Sequence, residues 1–343
     1  MIWQKRRFGV MNMATLKDVA AKVGVSITTV SRVLNDRGSI SEKTKERVFQ
    51  AMKELDYFPN EMARSLSNRN SHLLGLIVPY INHPFFGMLT DAVEQACYRE
   101  GYKLLLCASG NSAQREKEHF SMLRANNVAG VMVCSRIEKA EGYLKSDFPL
   151  VSIERNIADV PSVSCDNYKG GVLAAQELAA SGCKHVLLLG NRVKGHMMPA
   201  GLRYMGFEEE CARLGLDSRN YYLNDEDLFA EGLPDNLTAI FEGSPQVDGV
   251  FATSDVLAAK LVTSLRGLKE CPERLAVVGF DGVNISEYCD ISTVAQPISQ
   301  MGAFAVNTLI RRINGEMAPD RTVLPVNFLR RGSSGPGANA LRR

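Results

Sequence analysis

Polar and aromatic side chains follow several short apolar runs in residues 71–331, at points where parallel strands would end. They are Asn82, Phe85, Phe86, Glu154, Arg155, Asp166, Arg203, Ser254, Asp255, Asp281 and Gln296. Ligands of open α/β sheets bind beyond the carboxyl ends of the strands, so these residues are expected to meet in a cleft. Aromatic faces can cover the C–H face of a sugar ring, while carboxylate, guanidinium and amide groups pair with its hydroxyls. The combination indicates a site for a small sugar.

Each of these residues also has a purely structural explanation when it is considered alone. Phe85 and Phe86 could be core residues, Asp166 a helix cap and Arg203 a surface charge. Their recurrence at strand ends favours the binding site. The set holds two arginines against four acidic residues, which favours a neutral sugar over a phosphorylated or carboxylate ligand.

A second group of residues, within 14–60, has the side chains that read DNA. Ile27 could contact a thymine methyl, Thr28 could bond either type of base, and Arg32 could bond guanine bidentately. Short polar groups suited to phosphate oxygens surround them, and the predicted DNA contacts therefore also include Thr15, Ser26, Thr29, Ser31, Asn35, Ser41 and Thr44.

The charge distribution agrees with a DNA-binding front segment and a ligand-binding body. Residues 1–69 contain 13 Lys or Arg against 7 Asp or Glu, whereas the remainder contains 27 against 31. A basic front segment on an acidic body is typical of a chain whose small module meets phosphates, although a solvated basic surface is the alternative.

Three helices are predicted to position the DNA-reading residues. The first runs from Thr15 to Val23, with Asp18 as capping-box partner of Thr15, and ends at Gly24. The second covers 27–35 after a Ser26 cap, and the third covers 42–55 after a Ser41 cap. Two helices joined by a turn that contains glycine make a helix-turn-helix, whose second helix enters the major groove.

The body alternates short apolar strands with amphipathic helices, which predicts doubly wound parallel sheets. The predicted strands are Leu73–Val78, Lys103–Cys107, Gly130–Cys134, Leu150–Ile153, His185–Gly190, Gly249–Ala252 and Ala276–Phe280. The run Val163–Gly171 is interpreted as a transfer point between two lobes.

The front segment closely resembles the headpiece of lactose-repressor (LacI/GalR) family regulators. The resemblance lies in the run from Ala14 to Asn35, in Ser41-Glu-Lys-Thr44 and in Tyr57-Phe-Pro-Asn60. It implies a hinge helix over Asn60–Asn68 that orders in the minor groove of operator DNA, with Asn60 and Ala63 as contacts and Leu66 as the wedge between base steps. A plain linker is the alternative.

The resemblance continues over the body and implies a two-lobed periplasmic-binding-protein fold with three crossovers, the later ones near Val294–Pro297 and Arg321–Val326. Segments similar to the sugar-reading positions of ribose-type binding proteins and of ribose and sucrose repressors are Asn82-His-Pro-Phe-Phe86, Glu154-Arg-Asn156, Asp166-Asn167, Gly279-Phe-Asp-Gly282 and Gln296-Pro297. Two positions depart from those relatives, because Glu154 replaces their usual Asp and Ser254 replaces a frequent Asn.

The predicted organisation has five segments. They are an N-terminal extension (1–13), expected to be disordered; the helix-turn-helix domain (14–59); the hinge (60–70); the ligand-binding and dimerisation domain (71–331); and a disordered tail (332–343). Met1, Met11 and Met13 are the alternatives for the natural start. A helix-turn-helix reads a two-fold operator as a pair, and the tail lacks the leucine heptads of a tetramerising bundle, so a homodimer is expected.

These features predict a regulator, the expected function being that of a cytoplasmic repressor released from palindromic operator DNA by a neutral sugar. Alternatives with the same fold respond to a non-sugar or phosphorylated effector, or need a corepressor. No phosphate-binding or nucleophile-elbow motif supports an enzyme, and no cofactor is expected. Cys183, His185 and His196 could suggest a metal site, but Cys183 and His185 flank the entry to a strand and are expected to point apart. The eight cysteines lack the paired spacing of a zinc site and are expected to be reduced and mostly buried. No run is apolar enough for a membrane helix, and the headpiece argues against a secreted sugar-binding protein.

Overall fold

The computed structural model describes residues 14–35, 38–57, 71–135, 137, 148–157, 159–191, 198–224, 241, 246–266 and 274–341. The chain divides into two compact units between Asn70 and Ser71. The extension at 1–13 and the hinge residues Asn60, Ala63 and Leu66 lie outside the described residues.

The described helices and strands alternate in the body after three helices in the front unit. The helices are α1 (Leu16–Val23), α2 (Ile27–Leu34), α3 (Glu42–Glu54), α4 (Pro84–Arg99), α5 (Ala113–Ala125), α6 (Asn167–Ala180), α7 (Gly201–Leu214), α8 (Asp255–Leu265), α9 (Asn284–Tyr288) and α10 (Ile298–Ile313). The strands are β1 (Leu73–Val78), β2 (Lys103–Ala108), β3 (Gly130–Val133), β4 (Leu150–Ile153), β5 (Ser162–Cys165), β6 (His185–Asn191), β7 (Asp217–Leu223), β8 (Gly249–Ala252), β9 (Ala276–Asp281), β10 (Ser292–Ala295), β11 (Arg321–Leu324) and β12 (Asn327–Leu329).

Local side-chain bonds set the ends of the front helices. The capping box at α1 is confirmed, since Thr15 Oγ1 donates to Asp18 Oδ2 at 2.7 Å and accepts from the backbone N–H of Asp18. Gly24 ends α1 with a left-handed φ of 72°. Ser26 caps α2 by accepting from the backbone N–H of Thr29 at 3.1 Å. Ser41 occupies the cap position of α3, but its hydroxyl bonds Thr44 Oγ1 instead of the backbone.

A small apolar core joins the three front helices. Val19 and Val23 of α1, Val30 and Val33 of α2, and Val48 of α3 are all buried. Helix α2 therefore buries one face and leaves the other to solvent, which is the geometry of a helix that meets an external partner.

Two six-stranded sheets form the body. The first lobe has the strand order β11-β5-β4-β3-β1-β2, and the second has β12-β10-β9-β8-β6-β7. The pairings are parallel, as predicted, except that β12 pairs antiparallel with β10. Central strands such as β3, β4 and β8 are buried throughout, because helices cover both faces of each sheet.

The described chain passes between the lobes three times. It leaves the first lobe after β5, returns after β10 to form α10, and leaves again between β11 and β12. The later passages agree with the predicted crossovers near 294–297 and 321–326. Because each passage follows a strand, the residues at these points, including Asp166 and Gln296, come close to the space between the lobes.

The C-terminal tail corrects the prediction of disorder. Ser333 Oγ donates to Val277 O at 2.6 Å and accepts from the backbone N–H of Ser292 at 2.8 Å. Ser334 bonds Glu177, and Ala340 is buried with its N–H donating to Leu275 O. The Gly- and Ser-rich composition suggested a flexible chain, but its small residues let the backbone and hydroxyls lie against the second lobe.

No helix among the described residues is long and apolar enough to cross a membrane.

The packed tail leads to a test of stability. Ser333→Ala should lower the free energy of unfolding by roughly 1–3 kcal/mol, because it leaves the buried Val277 carbonyl and Ser292 amide without their partner. Urea unfolding followed by circular dichroism measures this, with Ser299→Ala, an exposed serine of α10, as the matched control. Equal midpoints for the two variants would show that the Ser333 hydroxyl bonds contribute nothing to folding stability.

Candidate functional site

A cleft opens between the two lobes of the body, at the carboxyl ends of the strands. It encloses about 820 Å³ of empty space, part of it open to solvent. Both lobes contribute to its lining, which consists of His83, Phe85, Phe86, Cys134, Ser135, Ile153, Glu154, Asn191, Met198, Ala200, Arg203, Tyr204, Thr253, Ser254, Asp281 and Gln296. A small polar ligand enclosed here would touch residues of both lobes.

Arg203 is the cationic centre of the cleft. Its guanidinium lies 3.6 Å from the centroid of the Phe280 ring, and its Nη1 donates to Thr253 O at 2.8 Å. Nε and Nη2 donate to Asn167 Oδ1 at 2.9 and 2.6 Å. A guanidinium has five N–H groups, so two remain without a partner among the described residues.

Close contact between α6 and α7 holds Arg203 in place. A Cβ atom on Gly171 of α6 would overlap the Arg203 carbonyl oxygen and lie 2.7 Å from the Phe207 nitrogen. A Cβ atom on Gly206 of α7 would overlap the Tyr168 carbonyl oxygen. Glycine at both positions therefore brings the helix backbones together and carries the first turn of α7, with Arg203, to the cleft.

Two carboxylates face Arg203 from residues with a left-handed backbone. Glu154 follows β4 with a φ of 55°, and Asp281 ends β9 with a φ of 119°. Such conformations cost about 1–3 kcal/mol each and persist where the surrounding structure imposes them. They turn the two acidic side chains from the ends of their strands into the cleft.

Burial raises the pKa of both acids. Desolvation raises the pKa of Glu154, and the charge of Arg203 only partly offsets it. Desolvation and then the nearby Asp255 raise the pKa of Asp281 well above its usual value. Ionised carboxylates in this cleft therefore lack full compensation, and hydroxyl donors from a ligand would supply it.

Gln296, at the second crossover, joins this acidic group. Its Nε2 donates to Asp281 Oδ1 at 2.7 Å. Its Oε1 is buried and accepts no hydrogen bond from any described residue. A buried acceptor without a donor is unfavourable by about 1–3 kcal/mol, so the position favours a ligand that carries a donor.

Phe85 and Phe86 form the apolar wall of the cleft. Both are more than nine-tenths buried, at 6% and 7% exposed, and their ring centroids lie 5.2 Å apart in an edge-to-face arrangement. The core and binding-site explanations therefore both apply, since the rings pack into the first lobe and present the remaining surface to the cleft.

Of the eleven predicted cleft residues, seven line the cleft and four do not. Asn82 is exposed beside it. Arg155 is 1% exposed and donates to Ser135 O, behind the cleft wall. Asp166 caps α6 by accepting from the Lys169 N–H at 2.9 Å. Asp255 is fully buried, where it accepts from Thr293 Oγ1 at 2.5 Å and from the Val283 N–H at 2.8 Å.

Other lining residues were not predicted. Thr253 directly follows β8, and Ser135 lies two residues after the end of β3, so the strand-end rule would have identified them had it been applied to every strand. Tyr204 had no such signal, because it lies inside α7 and reaches the lining through the packing of that helix, donating to Asn191 O at 2.9 Å.

The predicted DNA-reading residues lie on the solvent side of the front unit. Ile27 is 48% exposed, and Thr28 and Arg32 are also exposed. Thr29 and Ser31 are partly exposed, and Thr29 Oγ1 lies 2.9 Å from Ser26 Oγ. Asn35 donates from Nδ2 to Ser31 O at 2.8 Å, an intrahelical bond that orders the end of α2.

The cysteines and acidic groups of the described chain show no sign of metal chemistry. Seven described cysteines are free, six of them buried. In the part of the chain that the structure describes, no three His, Cys, Asp or Glu residues are placed to hold a metal ion.

Known families and relatives match both units. Residues 15–60 match the family described as bacterial regulatory proteins, lacI family, and residues 175–334 match a periplasmic binding protein-like domain. A sucrose operon repressor from Streptococcus mutans is 34% identical over 321 residues, covering 92% of this chain and 98% of that protein. A ribose operon repressor from Bacillus subtilis is 35% identical over 328 residues, covering 93% and 98%.

Solved structures agree with the sequence matches. A periplasmic binding protein/LacI transcriptional regulator from Alkaliphilus metalliredigens, complexed with D-xylulofuranose, has a TM-score of 0.68 at 29% identity, covering 77% of this chain and 99% of its own. The lac repressor dimer bound to operator has a TM-score of 0.79 at 22% identity, covering 93% and 98%, and shows the shared fold. Because the matches extend from the helix-turn-helix through both lobes, the chain belongs to the lacI family of bacterial regulatory proteins and is a DNA-binding transcriptional regulator.

Proposed function

We propose that this regulator is a homodimeric repressor that leaves its operator when a small neutral sugar binds in the cleft between the lobes. The buried Oε1 of Gln296, which lies beside Asp281 and has no donor among the described residues, carries the ligand assignment. A sugar hydroxyl can donate to one acceptor and accept from the guanidinium of Arg203 at the same time. An array of such groups, closed by the Phe85 and Phe86 rings, matches the two kinds of surface that a sugar presents.

The charge balance of the cleft supports a neutral ligand. Among the described residues, the lining contains one guanidinium and two carboxylates, so these residues offer an anionic effector no further cation to balance its charge. The relatives support a small sugar as the ligand. Two are named as sucrose and ribose operon repressors, and a solved relative is complexed with D-xylulofuranose.

Lobe closure links the cleft to operator DNA in this proposal. A sugar that touches both lobes stabilises the arrangement in which it is enclosed, and operator DNA stabilises another. The two ligands then oppose one another by an equal coupling free energy, so operator must weaken sugar binding as much as sugar weakens operator binding.

Substitution of two polar residues of the cleft tests the ligand assignment. A thermal-shift screen of pentoses, hexoses, sucrose and phosphosugars identifies the effector, and calorimetry measures its affinity. Arg203→Ala and Gln296→Met should each weaken the binding of that sugar about 10-fold or more while operator binding persists, because each removes buried polar contacts with the ligand. Arg213→Ala, which removes an exposed arginine of the same helix, is the control. Wild-type affinity in both cleft variants, or heat with phosphosugars alone, would refute the assignment.

Arg32 tests the reading of bases. Arg32→Ala should lose roughly 1–3 kcal/mol of operator binding and relax discrimination at one base pair, since a bidentate contact with guanine is removed. Fluorescence anisotropy on operator and scrambled duplexes measures both effects. Arg312→Ala removes an equal charge from the exposed surface of α10 and controls for net charge. If both variants bind operator alike, Arg32 has no base-reading role.

The proposed dimer has its own measurement. Light scattering should give a mass near twice 37.7 kDa, because two helix-turn-helix units are needed for a two-fold operator and the C-terminal tail packs on its own lobe. A mass near one or four times that value contradicts the proposal.

A further inference from the structure

Asn167 stands between the charged groups of the two lobes. Its Nδ2 donates to Glu154 Oε2 at 3.1 Å, and its Oδ1 accepts two hydrogen bonds from Arg203. The side chain is fully buried and is absent from the lining of the cleft. It therefore bonds Glu154 and Arg203, two of the three charged groups that line the cleft, without lining the cleft itself.

The hydrogen-bond pattern requires a carboxamide at this position. The guanidinium only donates, so the amide oxygen must face Arg203. The Glu154 carboxylate and the Cys165 carbonyl only accept, so the amide nitrogen must face them, and it also lies 3.2 Å from Cys165 O. The reversed amide would oppose like groups on every side. Asp would lack the donor, and an apolar residue would lack both donor and acceptor.

Without this amide, Glu154 and Arg203 would be free to pair directly. A buried glutamate and arginine form bidentate pairs that engage both carboxylate oxygens and two guanidinium N–H groups. Such a pair would use the groups that a ligand needs. The amide instead takes one oxygen of Glu154, while the other accepts from the Cys165 N–H at 2.8 Å, and the Cys165 thiol is a third donor to the carboxylate. About one of the four lone-pair sites of the carboxylate therefore stays open to a ligand.

We propose that Asn167 is the positioning residue of the effector site: its carboxamide holds Glu154 and Arg203 apart as a neutral bridge and so keeps both available to the ligand. This inference rests on the proposed function for its ligand. The bridge is built on the first crossover, since Asn167 begins α6 directly after β5. One crossover residue thus fixes the carboxylate of the first lobe and the guanidinium of the second.

Asn167→Asp provides the test because it preserves shape and the acceptor for Arg203 but replaces the donor by a second carboxylate. The charged groups around it are Glu154, Arg203 and Asp281, with the Cys165 thiol nearby. Two buried carboxylates at this distance should share a proton, and the shared proton restores the missing donor at low pH. At pH 8 the variant should bind the effector sugar about 10-fold or more weakly, and the deficit should shrink as the pH is lowered towards about 5.5.

A measurement without sugar accompanies this one. The two buried carboxylates hold their shared proton to a higher pH than carboxylates of the unfolded chain do, so the folded variant binds more protons than the unfolded chain and loses stability as the pH rises towards the pKa of the pair. The melting temperature of Asn167→Asp should therefore fall increasingly below that of Asn307→Asp, a control at an exposed residue of α10, between pH 5.5 and about 8. Asn167→Ala removes the bridge without adding an acid, so its sugar-binding deficit should not vary with pH relative to wild type.

The outcomes separate the possibilities. A pH-dependent deficit in Asn167→Asp with a constant deficit in Asn167→Ala supports the bridge. If Asn167→Asp follows Asn307→Asp in melting temperature and sugar affinity at every pH, or if both Asn167 variants lose affinity by one constant factor, the proposal is wrong. If the wild-type protein binds none of the sugars, the proposed function is wrong. The bridge is then tested by the melting temperatures of Asn167→Asp and Asn307→Asp alone.

Discussion

The guanidinium of Arg203 is a permanent charge held between two lobes, stacked 3.6 Å from the Phe280 ring and bonded to Asn167 and Thr253. A buried cation is tolerated only where polar partners replace the water that it loses. Several elements of the body together supply those polar partners. The glycines of α6 and α7 bring the two helices into contact, the end of β8 supplies the Thr253 carbonyl, and the first crossover supplies the amide.

The acidic side of the cleft is stabilised less completely. Glu154 and Asp281 have left-handed backbones and raised pKa values, and the Oε1 of Gln296 has no donor among the described residues. The second lobe could have neutralised this group with a direct ion pair, yet the bonds of Arg203 go to neutral oxygens. A site that retains strain, and acceptors without a donor among the described residues, suits the proposed ligand because its hydroxyls donate hydrogen bonds; the free energy of meeting those acceptors would then favour the proposed lobe closure.

The front unit depends on different forces. Its helices α1 and α2 are eight residues each, too short to be stable alone, and they rely on caps and on a small valine-rich core. The capping bonds of Thr15 and Ser26 use side chains that the sequence also placed among DNA contacts. The Ser26 hydroxyl accepts its cap bond and can still donate to a phosphate. The Thr15 hydroxyl already donates its single proton to Asp18 Oδ2, so it can donate to a phosphate only by giving up that bond.

Much of this protein could be predicted from its sequence, because the signals are local. Helix caps, the glycine at the end of α1 and the apolar central strands each depend on neighbouring residues, and the strand-end rule identified seven lining residues of the cleft. Several strands were not predicted, among them the edge strand β7 (Asp217–Leu223), which is polar and half exposed and so lacks an apolar run. Tertiary structure decided the rest. Residues far away in the chain decide whether a polar side chain faces the cleft or the interior. Asp255 is held by Thr293, and Arg155 by Ser135. Asp166 caps α6, so its place depends on the packing of that helix. The tail and the Asn167 bridge also depend on distant partners, and a hydrogen bond to a distant partner leaves no periodicity in the sequence. Ser333 bonds Val277, and Asn167 bonds Arg203, only because the folded sheets and helices bring these residues together.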